Sequence, residues 1–178
     1  AEATLGVTFG ELAESFRIDG IYRDKLEKAG KAVPLPDDGP DEAYERLHLV
    51  SVGRPLDGVD VEIWDDDASA LAERKLGEIA VRGPNVMKGY TEDERSSTPF
   101  GPRRTRLVDD WLATGDFGYL ADGYLYVVGR CCDVIRRSDG RRVFPEEVEL
   151  FVNSVDGIRP GSAVVFSGRA PADADSGD

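Results

Sequence analysis

Short runs of alternating apolar and polar residues, each closed by a turn signal, constrain this chain more than any other feature. Val59-Asp60-Val61-Glu62-Ile63-Trp64 has the two-residue period of a half-buried strand, and Asp65-Asp66-Asp67 predicts the turn behind it. Leu47-His48-Leu49-Val50-Ser51-Val52 predicts a strand closed by Gly53, and Glu78-Ile79-Ala80-Val81-Arg82 one stopped by Gly83-Pro84. Asp122-Gly123 lies between Gly118-Tyr119-Leu120 and Tyr124-Leu125-Tyr126-Val127-Val128, which predicts a tight hairpin. Asp139-Gly140 repeats the device between Val134-Ile135 and Val143-Phe144.

Helices are fewer. Tyr22 to Ala29 predicts a short charged one ended by Gly30. A better one starts at Pro145, with Glu146 and Glu147 at the positive end of its dipole. Val148, Phe151, Val152 and Val155 recur at helical spacing and predict a single buried face. Ser162-Ala163-Val164-Val165-Phe166 then predicts a strand. The fold class expected is therefore α+β, mainly β, with a domain boundary near Arg130 where the rhythm changes. Residues 168–178, small and acidic, predict a loop or disordered tail. The abrupt opening Ala1-Glu2-Ala3-Thr4 reads as though cut from something longer.

The 178 residues hold 22 Lys plus Arg against 35 Asp plus Glu, a net charge of −13. That balance argues against non-specific nucleic-acid binding and against anionic membrane surfaces. No apolar run approaches the ~20 residues that span a bilayer. The two cysteines, Cys131 and Cys132, are adjacent and offer no internal disulfide framework, so a reducing cytoplasm is the expected location. A single histidine, His48, excludes a multi-histidine metal site and reads as a strand residue. Trp64 and Trp111 read as packing residues.

One constellation suggests chemistry. Ala113-Thr114-Gly115-Asp116 is a small-residue turn that presents a carboxylate. If the hairpin folds back, Arg130 arrives beside Asp116. Such a pair can hold a ribose, but by spacing alone the signal is weak and a surface ion pair is the commoner reading.

The surrounding motifs weigh on that choice. Ala1-Glu2-Ala3-Thr4-Leu5, Ser51-Val52-Gly53-Arg54-Pro55, Gly77-Glu78-Ile79-Ala80-Val81-Arg82-Gly83-Pro84, Met87-Lys88-Gly89-Tyr90, Ala113-Thr114-Gly115-Asp116, Gly129-Arg130-Cys131-Cys132-Asp133-Val134-Ile135 and Phe144-Pro145-Glu146-Glu147-Val148-Glu149 occur in this order. Together they resemble the adenylate-forming superfamily of acyl-CoA synthetases, fatty acyl-AMP ligases, luciferases and adenylation domains. The resemblance runs from Ala1 to about Phe166. The opening motif, a long segment at 9–49 resembling a ligase-type insertion, Arg23-Asp24-Lys25-Leu26, Gly30-Lys31-Ala32-Val33-Pro34 and Gly157-Ile158-Arg159-Pro160-Gly161-Ser162-Ala163 are most similar to a fatty acyl-AMP ligase.

The resemblance implies a distorted β-barrel-like last subdomain of the large adenylation domain at 1–130. It implies a hinge at 131–133, and the hairpin, helix and strand that open the small C-terminal domain at 134–178. It implies that the parent enzyme converts a fatty acid and ATP to an acyl adenylate and pyrophosphate. The acyl group then passes to the phosphopantetheine thiol of an acyl carrier protein, in lipid or polyketide assembly. An acyl-CoA synthetase with CoA as acceptor, and a non-catalytic remnant acting as a binding module, are the alternatives. By the same resemblance Ala1, Glu2, Asp116 and Arg130 contact ATP or AMP. Glu2 holds Mg²⁺, whose charge offsets the repulsion between carboxylate and triphosphate. Asp116 and Arg130 hold the ribose. The hinge residues are Cys132 and Asp133; the family usually has Asp or Lys where this chain has Cys132, for which the plain alternative is a small buried apolar residue. The phosphate loop is expected before Ala1 and the catalytic lysine beyond Asp178, so no catalytic residue is expected within the chain, which alone is expected to be inactive. The four arginines of Arg136-Arg137-Ser138-Asp139-Gly140-Arg141-Arg142 are candidates to meet a phosphopantetheine phosphate or an acidic carrier, with a solvated hairpin tip as the alternative.

Overall fold

The computed structural model describes residues 3, 6–10, 15–36, 45–88 and 106–168. The chain divides into two compact units, Ala1–Cys132 and Asp133–Asp178.

The first unit is mostly strand. Its short pieces are β1 (Thr8–Phe9), β2 (Ile18–Tyr22), β3 (Arg46–Val50) and β4 (Arg54–Pro55). β1 pairs with β4 and β2 with β3, both antiparallel. Between β2 and β3 lies α1 (Arg23–Ala29), ended by Gly30 in the left-handed conformation at φ 61°. There the Gly30 and Lys31 N–H groups close on the carbonyls of Leu26 and Lys25, satisfying the last turn.

The main sheet follows: β5 (Asp60–Trp64), β6 (Gly77–Arg82), β7 (Arg106–Val108), β8 (Trp111–Ala121) and β9 (Tyr124–Arg130). β6 pairs with β5 on one side and β8 on the other, and β7 and β9 share the far edge of β8. The alternating segments do form strands, because their apolar halves meet: Val59, Ile63, Ile79, Val81 and Leu125 make one buried cluster, with Val61, Leu71, Val86 and Leu120 against it. The Asp122-Gly123 turn has positive φ at both residues, 53° and 76°, which matches the right-handed twist of the two strands.

The mainly β, α+β content agrees with the expectation, but the β-barrel-like subdomain does not. Among the described residues this sheet is open. β5 pairs only with β6, and neither β7 nor β9 reaches it to complete a ring of ladders.

The second unit holds a minimal hairpin, β10 (Ile135–Arg136) with β11 (Arg142–Val143), and α2 (Pro145–Asn153). Pro145 stands at the first helical turn and Phe144 is buried. Two expectations fail here. The helical face is not buried as a whole among the described residues, since Phe151 is 72% exposed and Val148 and Val155 are exposed too, with Val152 half-buried. Residues 162–166 form no strand. A strand needs a neighbour's amides and carbonyls. Instead Asn153 Oδ1 accepts the N–H groups of Gly161 and Ala163, and Glu149 Oε1 accepts that of Val165. No helix among the described residues is long and apolar enough to cross a membrane.

Candidate functional site

β8 is the longest strand and it is irregular. Against β6, Phe117 pairs with Glu78 and Ala113 with Ala80, so Thr114, Gly115 and Asp116 together oppose Ile79. Three residues opposite one form a bulge, a device that re-aims side chains. Gly115 sits in it with φ 78°, a conformation that glycine adopts without a Cβ penalty.

Side chains hold the bulge where the ladder does not. The Thr114 hydroxyl donates to the Ile79 carbonyl at 2.9 Å and accepts the Asp116 N–H at 3.1 Å. Glu78 Oε1 accepts the Gly115 N–H at 3.1 Å. The Gly115 carbonyl accepts the Cys131 N–H at 2.8 Å. Asp116 faces Arg130 across the β8–β9 ladder, and Arg130 Nε lies 3.0 Å from Asp116 Oδ1. The hairpin therefore does bring these two residues, fourteen apart, side by side, at the end of β9 and midway along β8. Both side chains keep solvent contact, 58% for Arg130 and 33% for Asp116, so a ligand can reach them.

The other expected site residues fare differently. Ala1 and Glu2 lie outside the described residues, and the Mg²⁺ role falls with Glu2 into that group. Among the described residues no cluster of three or more His, Cys, Asp or Glu side chains could hold a metal. Cys132 is exposed and Cys131 half-buried. Asp133 opens the second unit. In the arginine hairpin Arg136 and Arg137 are exposed and Arg141 and Arg142 half-buried. At its tip Asp139 accepts the Arg141 N–H at 3.0 Å, which with Arg137 nearby holds its carboxyl below the usual range. Trp64 and Trp111 pack together at 5.6 Å, with Arg82 over Trp111 at 4.6 Å. His48 is an exposed strand residue opposite Gly20.

Sequence reasoning missed a second polar cluster. Asp19, 11% exposed, accepts the Tyr119 hydroxyl at 2.7 Å and Arg74 at 3.0 Å. Tyr119 stacks on Tyr126, its partner across β8 and β9, with centroids 5.0 Å apart. Burial, then the Asp19 hydrogen bond, push the Tyr119 hydroxyl well up from its ordinary value. The residues come from positions 19, 74 and 119, and no local pattern links them. This cluster braces β8 beyond the bulge.

Comparison with known proteins agrees with the motifs. A family model described as AMP-binding enzyme matches residues 35–91. A Caulobacter vibrioides protein assigned as an acyl-CoA synthetase is 32% identical over 168 residues, 94% of this chain and 28% of that protein. The 2-succinylbenzoate–CoA ligase of Enterococcus faecalis is 35% identical over 119 residues, 66% of this chain and 23% of that protein. Among solved structures, one from work on fatty acyl-adenylate ligases of E. coli and L. pneumophila is 34% identical with a TM-score of 0.75. It covers 93% of this chain and 28% of its own. The chain thus spans under a third of the relatives it matches. Ordered motifs, an open sheet that superposes on a ligase, and these identities lead to one assignment: the chain belongs to the AMP-binding, adenylate-forming enzyme family.

Proposed function

We propose that this chain carries the ribose grip of an ATP-dependent acid ligase. The ligase joins a carboxylic acid to AMP, releases pyrophosphate, and transfers the acyl group to the thiol of coenzyme A. The observation that carries the reading is the Asp116–Arg130 pair at a bulge, held by four backbone or side-chain hydrogen bonds and still open to solvent. A carboxylate offers about four acceptor positions, so Asp116 can hold Arg130 and the two ribose hydroxyls at once. Such charge-assisted bonds are about twice as strong as neutral ones. Arg130 fixes the carboxylate and contacts the same sugar. ATP binds as its Mg²⁺ complex, and Mg²⁺ supplies charge neutralisation at the phosphates, with Glu2 as its proposed ligand. In the same reading residues 1–130 and 134–178 belong to the large and small domains, and Cys132 and Asp133 form the hinge between half-reactions.

CoA as acceptor is favoured by the names of the relatives, an acyl-CoA synthetase and a 2-succinylbenzoate–CoA ligase. A second reading is a fatty acyl-AMP ligase that serves a carrier-protein phosphopantetheine. It is supported by the TM-score of 0.75 over 93% of the chain and by the long 9–49 segment. The test, made on the full-length protein that carries this segment, is acid-dependent exchange of labelled pyrophosphate into ATP, followed by offering CoA or a phosphopantetheinylated carrier. Acyl-CoA as product supports the proposal. Acylation of the carrier alone selects the second reading. Absence of exchange and of AMP binding overturns both and leaves a binding module.

A further inference from the structure

We propose that Glu78 is a positioning residue for the Asp116 carboxylate, acting through the backbone of Gly115; this rests on the ribose reading above. Gly115 is buried, and a buried N–H without an acceptor is costly. The bulge takes this N–H out of the β6–β8 ladder, because Ile79 faces three residues and cannot pair with all of them. Glu78 Oε1 supplies the acceptor at 3.1 Å. The benefit is mutual: Glu78 is half-buried on β6 between buried Gly77 and Ile79, and a carboxylate in that place needs donors.

Two other backbone groups of the bulge also have defined partners. The Gly115 carbonyl is tied to Cys131, one residue after Arg130, and the Asp116 N–H to Thr114. Glu78 therefore fixes the Thr114–Gly115 peptide, one link before Asp116, while Cys131 fixes the Gly115–Asp116 peptide through its carbonyl. Together they set the two ends of the 3.0 Å pair. Removal of the Glu78 oxygen frees the Gly115 amide and lets the bulge relax, so that Asp116 and Arg130 no longer present one shared surface to vicinal hydroxyls.

The test uses Glu78→Ala, Glu78→Gln and Asp116→Ala, read by amide hydrogen exchange and by AMP affinity. Gln keeps an acceptor oxygen and Ala does not. Glu78→Ala is expected to speed Gly115 exchange by about tenfold and to weaken AMP by about tenfold, with Ile79 and Val81 amides unchanged. Glu78→Gln is expected to stay close to the parent in both. Unchanged Gly115 exchange in Glu78→Ala, or Gln behaving as Ala does, overturns the positioning role. The two readings separate cleanly. If Asp116→Ala leaves AMP affinity unchanged, the ribose reading fails. If Asp116→Ala weakens AMP and Glu78→Ala does not, only the Glu78 inference fails.

Discussion

In the unit ending at Cys132, Ile63, Ile79 and Val81 are almost wholly buried against their neighbours in sequence-distant strands. In the unit beginning at Asp133, α2 carries an equally regular apolar pattern, yet Val148, Phe151 and Val155 of that pattern are exposed, as is Leu150 beside it. Periodicity fixes which side of an element is apolar. Whether that side is covered depends on partners, and the sheet brings its own: β5, β6, β8 and β9 are contiguous in space and cover one another. The polar groups divide in the same way. Asp19 is half-buried and paired with Arg74 and Tyr119, whereas Asp139 sits on an exposed hairpin tip where an ion pair is worth little. Stability in this chain is concentrated around β8, which also carries Asp116.

Substitutions that contrast the two units break or sharpen this comparison. The largest effect is expected from Ile63→Ala, a loss of about 2–5 kcal/mol because a cavity opens in the sheet core. Both tryptophans lie in the first unit, so urea unfolding followed by their fluorescence reads that unit directly. Next comes Tyr119→Phe, which removes the part-buried hydrogen bond to Asp19 and costs about 1–2 kcal/mol. It also changes the pH response. Burial and Asp19 raise the folded Tyr119 value above the ordinary 10.0. The unfolded chain therefore releases this proton first. The contribution is complete below pH 10.0 and is lost as pH climbs above it, and Tyr119→Phe flattens that alkaline decline in the urea midpoint.

Smaller still is Leu150→Ala, expected within about 0.5 kcal/mol in calorimetry because the side chain is already in water. Loss of more than 2 kcal/mol there, on the order of a core deletion, would erase the contrast. Asp139→Asn should leave the first unit untouched. The Arg141 N–H lowers the folded Asp139 value, so its contribution is present above the ordinary 3.8 and fades as pH falls through the folded value. Arg141 amide exchange should show that acid step in the parent and not in the variant.

Much of the fold was legible because its determinants are local. Alternation marked β5 and β6, Asp122-Gly123 marked the β8–β9 turn, Gly30 marked the end of α1, and Pro145 the start of α2. The same hairpin arithmetic placed Arg130 beside Asp116. The open sheet was not legible, since closure depends on whether edge strands meet, which no single strand records. Nor was the absence of a strand at 162–166, where the composition is right but the Ala163 and Val165 amides find Asn153 and Glu149. The bulge and its Glu78 acceptor escaped as well. Glu78 was visible within a motif, but a side-chain bond to a backbone amide 37 positions away leaves no periodic trace. Asp19, Arg74 and Tyr119 escaped for the same reason.

The central claim is that Asp116 and Arg130 grip the two ribose hydroxyls. The most direct measurement compares AMP with 2′,3′-dideoxy-AMP, on the parent protein and on Asp116→Ala. If Asp116 meets those hydroxyls, removing them or the carboxylate weakens binding by about tenfold each, and removing both costs little more than either alone. If the two losses simply add, or if the parent binds both nucleotides equally well, Asp116 does not hold the ribose and the account is wrong.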